Sequence, residues 1–342
     1  FRMSSLQREI QGKMLPPKST THLSANKKLP LNRSFTPLPW SDFFDKRTTV
    51  TVDGDEFNVY LKGDSGPVFY LLHGGGYCGL TWACFAQEMV ARIDCRLIAP
   101  DLRGHGDSRC ADEDDLSLDR QIKDVTNILC SLFPTSSNAE KVPVVVVGHS
   151  MGGALAAHAV AHALDKVEST TIVGLVVIDV VEGTAMDALS MMTQFLRSRP
   201  AQFDSEEAAV RWCLQSGTVR NARAARVSMP AQVRQREDGK YHWRINLIRS
   251  EHHWDGWFRG LSATFLSAHA PKMLVLAGTD RLDKELMIGQ MQGKFQTTVL
   301  PRVGHAVQED SPDHLADELA RFAVRYKLAA AKAGIEFHSP MC

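Results

Sequence analysis

The hydrophobic pattern of the chain becomes regular at Thr48. "TTVTVD" and "FNVYLK" alternate apolar and polar positions on either side of "GDE", which predicts a β-hairpin. "GPVFYLLHGGG" is a continuous apolar run closed by glycines, the pattern of a strand buried on both faces. "TWACFAQEMVAR" has helical spacing, "CRLIAPDLRGHG" reads as a strand entering a glycine-rich turn, and "LSLDRQIKDVTNILCSLF" places apolar residues three and four apart, as a helix does. "VPVVVVGHS", "MGGALAAHAVAHAL" and "IVGLVVIDVV" then predict strand, helix and strand. After Gly183 the alternation stops, and residues 184–260 read as helices and loops with no convincing strand before "YHWRINL". It returns with "PKMLVLAG" (strand), "KELMIGQMQGKF" (helix), "TTVLPRVG" (strand) and "DHLADELARFAVRYKLAAAKA" (helix). Strands alternating with helices predict an α/β domain over residues 35–342: a mostly parallel central sheet covered by helices on both faces. The helical block predicts a cap inserted at about residues 184–260.

Composition changes this picture at one end only. Residues 1–34 hold seven Lys/Arg against one acid, Glu9, with few large apolar side chains. Such a segment cannot bury a core, so a disordered basic tail is expected; the same composition also describes a mitochondrial transit peptide. Elsewhere the chain is ordinary, with 44% hydrophobic residues, 23% charged residues and a formal net charge of +0. That balance gives no reason to expect nucleic acid or an anionic membrane as partner. No apolar run approaches the roughly 18 residues that span a bilayer. The seven cysteines lack metal-ligand spacing, and an odd number in a chain of 342 residues points to reduced thiols in the cytosol or nucleus.

The candidate chemistry begins at "GHSMG", Gly148 to Gly152. A G-x-S-x-G pattern between a strand and a helix is the context of a nucleophile elbow, in which a sharp turn exposes the serine hydroxyl. Ser150 is therefore the candidate nucleophile; the plainer alternative is a serine capping a helix. Attack on an ester carbonyl creates an oxyanion, which two backbone N–H groups would stabilise. Met151, next to the nucleophile, is one expected donor. The other belongs to "HGGG", His73 to Gly76, with Gly75 favoured and Gly76 open. The general base should lie late, on a loop after a strand, and His305 in "VLPRVGHAVQEDSP" satisfies this. His269 precedes a strand, His314 falls in a helix and His338 near the chain end. Two carboxylates could orient the base: Asp280, after the penultimate strand, which the pattern slightly favours, and Asp179, at the end of the strand before the cap. Asp101 is expected to fix a turn and His149 to be a packing neighbour, while Glu182 and Asp187 have no assigned role. No cofactor or metal is called for.

These motifs resemble the α/β-hydrolase superfamily over roughly residues 48–333. A closer resemblance lies in and around the cap. "FTPLPW", "IDVVEGTAMDAL", "FLRSRP", "SGTVRNARAARVSM", "YHWRINL", "WDGWFRGLS" and "LAGTDRLDKELMIGQMQGKFQTTVLPRVGHAVQED" look like protein phosphatase methylesterase. The resemblance implies removal of the methyl ester from the C-terminal leucine of the type 2A protein phosphatase catalytic subunit. It implies that subunit as partner, with its scaffold subunit a further candidate, and a cytoplasmic or nuclear location. It places nucleophile, base and acid on Ser150, His305 and Asp179, reversing the lean to Asp280. Some family members carry a long acidic insertion where this chain has only "QREDGK". A substrate that is a protein tail also implies a groove. The cap arginines, Arg197, Arg199, Arg211, Arg220, Arg223, Arg226, Arg234 and Arg236, are expected mostly on solvated faces, with one or two steering an acidic tail. Trp254 and Trp257 are expected in the core rather than as a peptide platform. Two competing readings are a small-molecule carboxylesterase of this fold and a phosphatase-binding module with little turnover.

Overall fold

The computed structural model describes residues 34–135, 140–278, 282–335 and 337. All of the expected tail except Ser34 lies outside the described residues, as does Asp280. The strands in chain order are β1 (Lys46–Val52), β2 (Asp55–Lys62), β3 (Val68–Leu72), β4 (Arg96–Pro100), β5 (Val142–His149), β6 (Thr170–Ile178), β7 (Gln202–Phe203), β8 (Val233–Gln235), β9 (Tyr241–Trp243), β10 (Lys272–Leu276) and β11 (Gln296–Val299). Eight of them form one sheet in the order β1-β2-β4-β3-β5-β6-β10-β11. The β1–β2 and β2–β4 pairs are antiparallel and the rest are parallel. Asp53 and Gly54, both at positive φ, close the β1–β2 hairpin between the paired Val52 and Asp55, a two-residue turn whose twist suits the strands it joins.

The uninterrupted valines of β5 follow from burial on both sides. Val144 and Val146 join one apolar cluster, and Val145 and Val147 the other. One face is covered by α1 (Ala83–Arg92) and, at the far end of the chain, the helix Pro312–Arg325. The other is covered by α2 (Leu118–Leu132), α3 (Met151–His162) and, later, the helix Leu261–Ser267.

Between β6 and β10 the chain forms α4 (Glu182–Ser198), α5 (Glu206–Ser216), α6 (Ala222–Ser228), α7 (Glu251–Phe258) and α8 (Leu261–Ser267). Local capping is legible here. The Ser205 and Asn221 side chains accept backbone N–H bonds at the starts of α5 and α6, and Gly217 in the left-handed region ends α5. Glu182, which had no assigned role, takes the backbone N–H groups of Gly260 (2.9 Å) and Ser262 (3.0 Å). It thereby ties the beginning of this segment to its end. The segment also holds a small sheet in the order β7-β9-β8, where the sequence suggested a strand only at "YHWRINL". Strands of two and three residues are too short to show alternation; Phe203, Trp212 and Trp243 pack ring against ring around them. "QREDGK" is the tight hairpin turn between β8 and β9, with Arg236 N–H bonded to Lys240 O at 2.9 Å.

The chain closes with α9 (Lys284–Met291), α10 (Val307–Asp310) and α11 (Pro312–Arg325). The last helix is shorter than its alanine-rich continuation predicts. Lys327 enters the left-handed region, Leu328 N–H returns to Ala323 O at 2.8 Å, and Lys332 N–H bonds Arg92 O at 2.9 Å. Pairing with the end of α1 thus outweighs the helix propensity of alanine. Among the described residues no helix is long and apolar enough to cross a membrane.

Candidate active site

Ser150 sits between β5 and α3 at φ 54°, ψ −121°, a conformation that L-residues rarely adopt. The surroundings hold it there. Its N–H donates to Ile178 O at 2.9 Å, and its carbonyl accepts from Gly153 N (2.8 Å) and Ala154 N (3.1 Å). The flanking glycines are steric necessities. A Cβ on Gly148 would lie 2.0 Å from Gly152 O, and one on Gly152 would lie 2.4 Å from both Leu72 O and His73 O.

Asp179 follows β6, also at positive φ (54°). Its N–H bonds Val275 O at 2.7 Å, and its two carboxylate oxygens face different groups. Oδ1 accepts from Ala277 N at 2.8 Å, and Oδ2 lies 2.6 Å from His305 Nδ1. Both residues are buried. Asp179 therefore lies beside the candidate base; Asp280, the other carboxylate weighed for that role, is outside the described residues. Asp101 is a turn-fixing residue: it accepts from Gly79 N (2.7 Å), Asp107 N (2.8 Å) and Asn58 Nδ2 (2.8 Å). Burial pushes its carboxyl up to about 6.

Three buried histidines hold the loops around these groups, and burial keeps each of them neutral. His149, held down to about 3, is more than a packing neighbour. Its Nε2 meets the carbonyl of His305 at 2.8 Å and its Nδ1 meets Gln308 Nε2 at 3.3 Å. A backbone carbonyl can only accept, so Nε2 carries the proton. His73, well below its usual range, pairs Nδ1 with Gly74 O (2.9 Å) and accepts Leu102 N–H on Nε2 (2.9 Å). His105, at about 4, pairs Nδ1 with Arg103 O (2.7 Å) and accepts Gly76 N–H on Nε2 (2.9 Å). The last bond bears on the oxyanion donor. The N–H of Gly76 is already committed, whereas no hydrogen bond among the described residues uses that of Gly75, whose α-carbon faces the Met151 side chain. The loop roles of His105 and Gln308 were missed from the sequence; the only signal for His105 is its place between two glycines in "RGHGD".

Ser150, Met151, Gly75 and His305 line one cleft of about 860 Å³, its open mouth included. The segment between β6 and β10 supplies most of its other wall, with Leu189, Met192, Phe195, Trp254, Trp257 and Phe258. The two tryptophans are both buried and cleft-forming. Their ring N–H groups are satisfied by Ser250 Oγ (3.0 Å) and Leu116 O (2.7 Å), which leaves the rings as apolar surface. A strained serine, a carboxylate-bound imidazole and a water-poor wall suit acyl transfer from a hydrophobic ester.

Residues 69–318 match the model of the alpha/beta hydrolase family. Among solved structures, E-2-(acetamidomethylene)succinate hydrolase superposes with a TM-score of 0.67 at 20% identity, covering 82% of this chain and 99% of its own, a likeness of fold alone. Closer relatives are found by sequence. "Probable protein phosphatase methylesterase 1" of Caenorhabditis elegans is 57% identical over 93% of this chain and 84% of its own length. Protein phosphatase methylesterase 1 of Mus musculus is 43% identical over 91% of this chain and 90% of its own. The chain belongs to the protein phosphatase methylesterase 1 family. Like the other members of that family it is an α/β-hydrolase and a carboxylic ester hydrolase.

Proposed function

We propose that the protein removes the methyl ester from the C-terminal leucine of the type 2A protein phosphatase catalytic subunit, through an acyl-enzyme made by Ser150, His305 and Asp179. The observation that carries this reading is the 2.6 Å contact between Asp179 Oδ2 and His305 Nδ1, in a cleft that also contains the strained Ser150. With Nδ1 as donor to the carboxylate, His305 Nε2 is left to accept the proton of Ser150 Oγ as that oxygen attacks the ester carbonyl. Gly75 N–H and Met151 N–H donate to the oxyanion, each worth about 3 kcal/mol of transition-state stabilisation. The imidazolium of His305 then protonates the departing methoxide, and methanol leaves. Water, deprotonated by the same imidazole, attacks the acyl carbon and frees the leucine carboxylate and the Ser150 hydroxyl. The apolar wall accommodates the leucine side chain, and the open mouth lets the rest of a protein tail remain outside. A cytoplasmic or nuclear location belongs to the same reading.

The test is incubation with methylated phosphatase catalytic subunit, following loss of the methyl group by mass. A serine-directed fluorophosphonate should modify Ser150, and labelling elsewhere counts against the assignment. If simple aryl esters turn over while the methylated subunit does not, the enzyme is a small-molecule esterase. If Ser150→Ala and wild type hold the phosphatase equally and neither demethylates it, the chain acts as a binding module.

A further inference from the structure

Arg199 is the one arginine among the described cleft-lining residues, immediately after α4 and on the same wall as the apolar side chains. Its guanidinium carbon lies 4.1 Å from the centroid of the Trp243 ring. Its Nη1 comes within 3.9 Å of where a Cβ on Gly76 would stand, one residue from the expected oxyanion donor. The residue as a whole is half-buried, but its Nε is sealed from solvent and has no hydrogen-bond partner among the described residues. Among the described residues no carboxylate lies within ion-pair distance of it. Elsewhere in the segment Arg220 reaches Asp310, Arg244 reaches Asp107 and Arg259 pairs with Asp255, while Arg199 combines a cleft-lining position with a sealed, unbonded Nε. Burial pulls the Arg199 guanidinium down to about 10, so it is still a cation at neutral pH.

A guanidinium partly withdrawn from water without an anionic partner is unfavourable, and stacking on an indole offsets only part of that. The balance is recovered when a planar anion docks, and the guanidinium fork matches a carboxylate with two parallel hydrogen bonds. We propose that Arg199 is a carboxylate-binding subsite of the cleft, next to the oxyanion loop. The proposal rests on the methylesterase reading for its two sources of carboxylate: the leucine carboxylate freed by the reaction, and an acidic side chain of the bound tail. In the first case the site favours product over the neutral ester and makes the enzyme product-inhibited. In the second it selects acidic tails.

The test needs no phosphatase. Inhibition of p-nitrophenyl butyrate hydrolysis is measured with N-acetyl-leucine and with N-acetyl-leucinamide, and kcat/KM is measured for N-acetyl-Asp-Leu and N-acetyl-Asn-Leu methyl esters. Wild type and Arg199→Met are compared, with Arg199→Lys as a second variant should the first fail to fold; unfolding midpoints report folding. Each readout is a ratio of acid to amide, so it does not depend on the basal rate of the variant. If N-acetyl-leucine binds wild type at least tenfold tighter than the leucinamide, and the variant erases this, the product carboxylate is the ligand. If instead the Asp ester is preferred at least tenfold over the Asn ester and the preference collapses in the variant, the ligand is a side chain. Absence of both preferences in wild type, or their survival in Arg199→Met, overturns the proposal. Failure of phosphatase demethylation alone would overturn the substrate reading and leave these ratios standing.

Discussion

Replacing Asp179 with asparagine should cost about four orders of magnitude in kcat, and the structure indicates why the loss cannot be repaired by turning the side chain. In wild type, Oδ1 is bonded to Ala277 N–H at 2.8 Å while Oδ2 faces His305 Nδ1 at 2.6 Å. A backbone N–H cannot reverse its role, so the asparagine oxygen must stay on Ala277 and the NH2 must face the imidazole. That NH2 needs an acceptor, which drives the His305 proton from Nδ1 to Nε2, the nitrogen that has to accept from Ser150. The tautomer is wrong for a general base, and the imidazolium loses its counter-charge. In serine hydrolases this substitution lowers kcat roughly 10⁴-fold, about 5.5 kcal/mol of barrier. KM should change little, because the cleft wall is untouched. Near-isosteric replacement should leave the fold intact, with a stability loss of about 1–3 kcal/mol from weakening two buried bonds. The assay is methyl-ester turnover beside thermal unfolding, with Asp280→Asn as control and expected within about threefold of wild type. An Asp179→Asn variant within tenfold of wild-type kcat would refute the reasoning. A dead Asp280→Asn paired with an active Asp179→Asn would move the acid to the loop after β10.

Ser150→Gly should abolish turnover and yet raise stability by about 1 kcal/mol, since glycine tolerates φ 54° without strain; an unchanged or lower unfolding free energy would argue against stored strain at the elbow. Gly148→Ala should destabilise by about 3 kcal/mol or more, because its methyl would sit 2.0 Å from Gly152 O, and a soluble variant with a normal melting temperature would show that the turn can yield. Glu309, buried beside Thr81 and bonded by Ser228 Oγ at 2.8 Å, has its carboxyl pushed up to about 8 by burial. The native state therefore keeps a proton that the unfolded chain releases above about pH 4.5, and stability should fall as pH rises to about 8, by at most about 1.4 kcal/mol per unit. Glu309→Gln should remove that part of the slope, which urea unfolding of both proteins at pH 5 and pH 8 would measure.

The sheet was legible because burial on both faces leaves unbroken apolar runs, of which β5 is the plainest. The turn at Ser150 was legible because backbone carbonyls leave no room for a side chain at positions 148 and 152, so the glycines of the pattern are required there. Less could be read where tertiary contacts override local preference. β7, β8 and β9 are too short to alternate, and the alanines after Arg325 leave the helix to pair with the end of α1. Spacing could not decide between two aspartates that both follow strands, and it could not foresee that the end of β6 brings Asp179 to His305, a matter of sheet order. The isolation of Arg199 was equally hidden. Eight arginines look alike in sequence, and it is the fold that sets Arg199 in the cleft wall against Trp243 with its Nε sealed.

The three buried imidazoles have a consequence for timing. Each joins two groups through a rigid five-membered ring: Gly76 to Arg103 through His105, Leu102 to Gly74 through His73, and the His305 carbonyl to Gln308 through His149. A ring held at both nitrogens loses torsional freedom, so these contacts order the segments around Gly75 and His305 as part of folding. On the proposed mechanism, that ordering is entropy which binding of the ester need not supply.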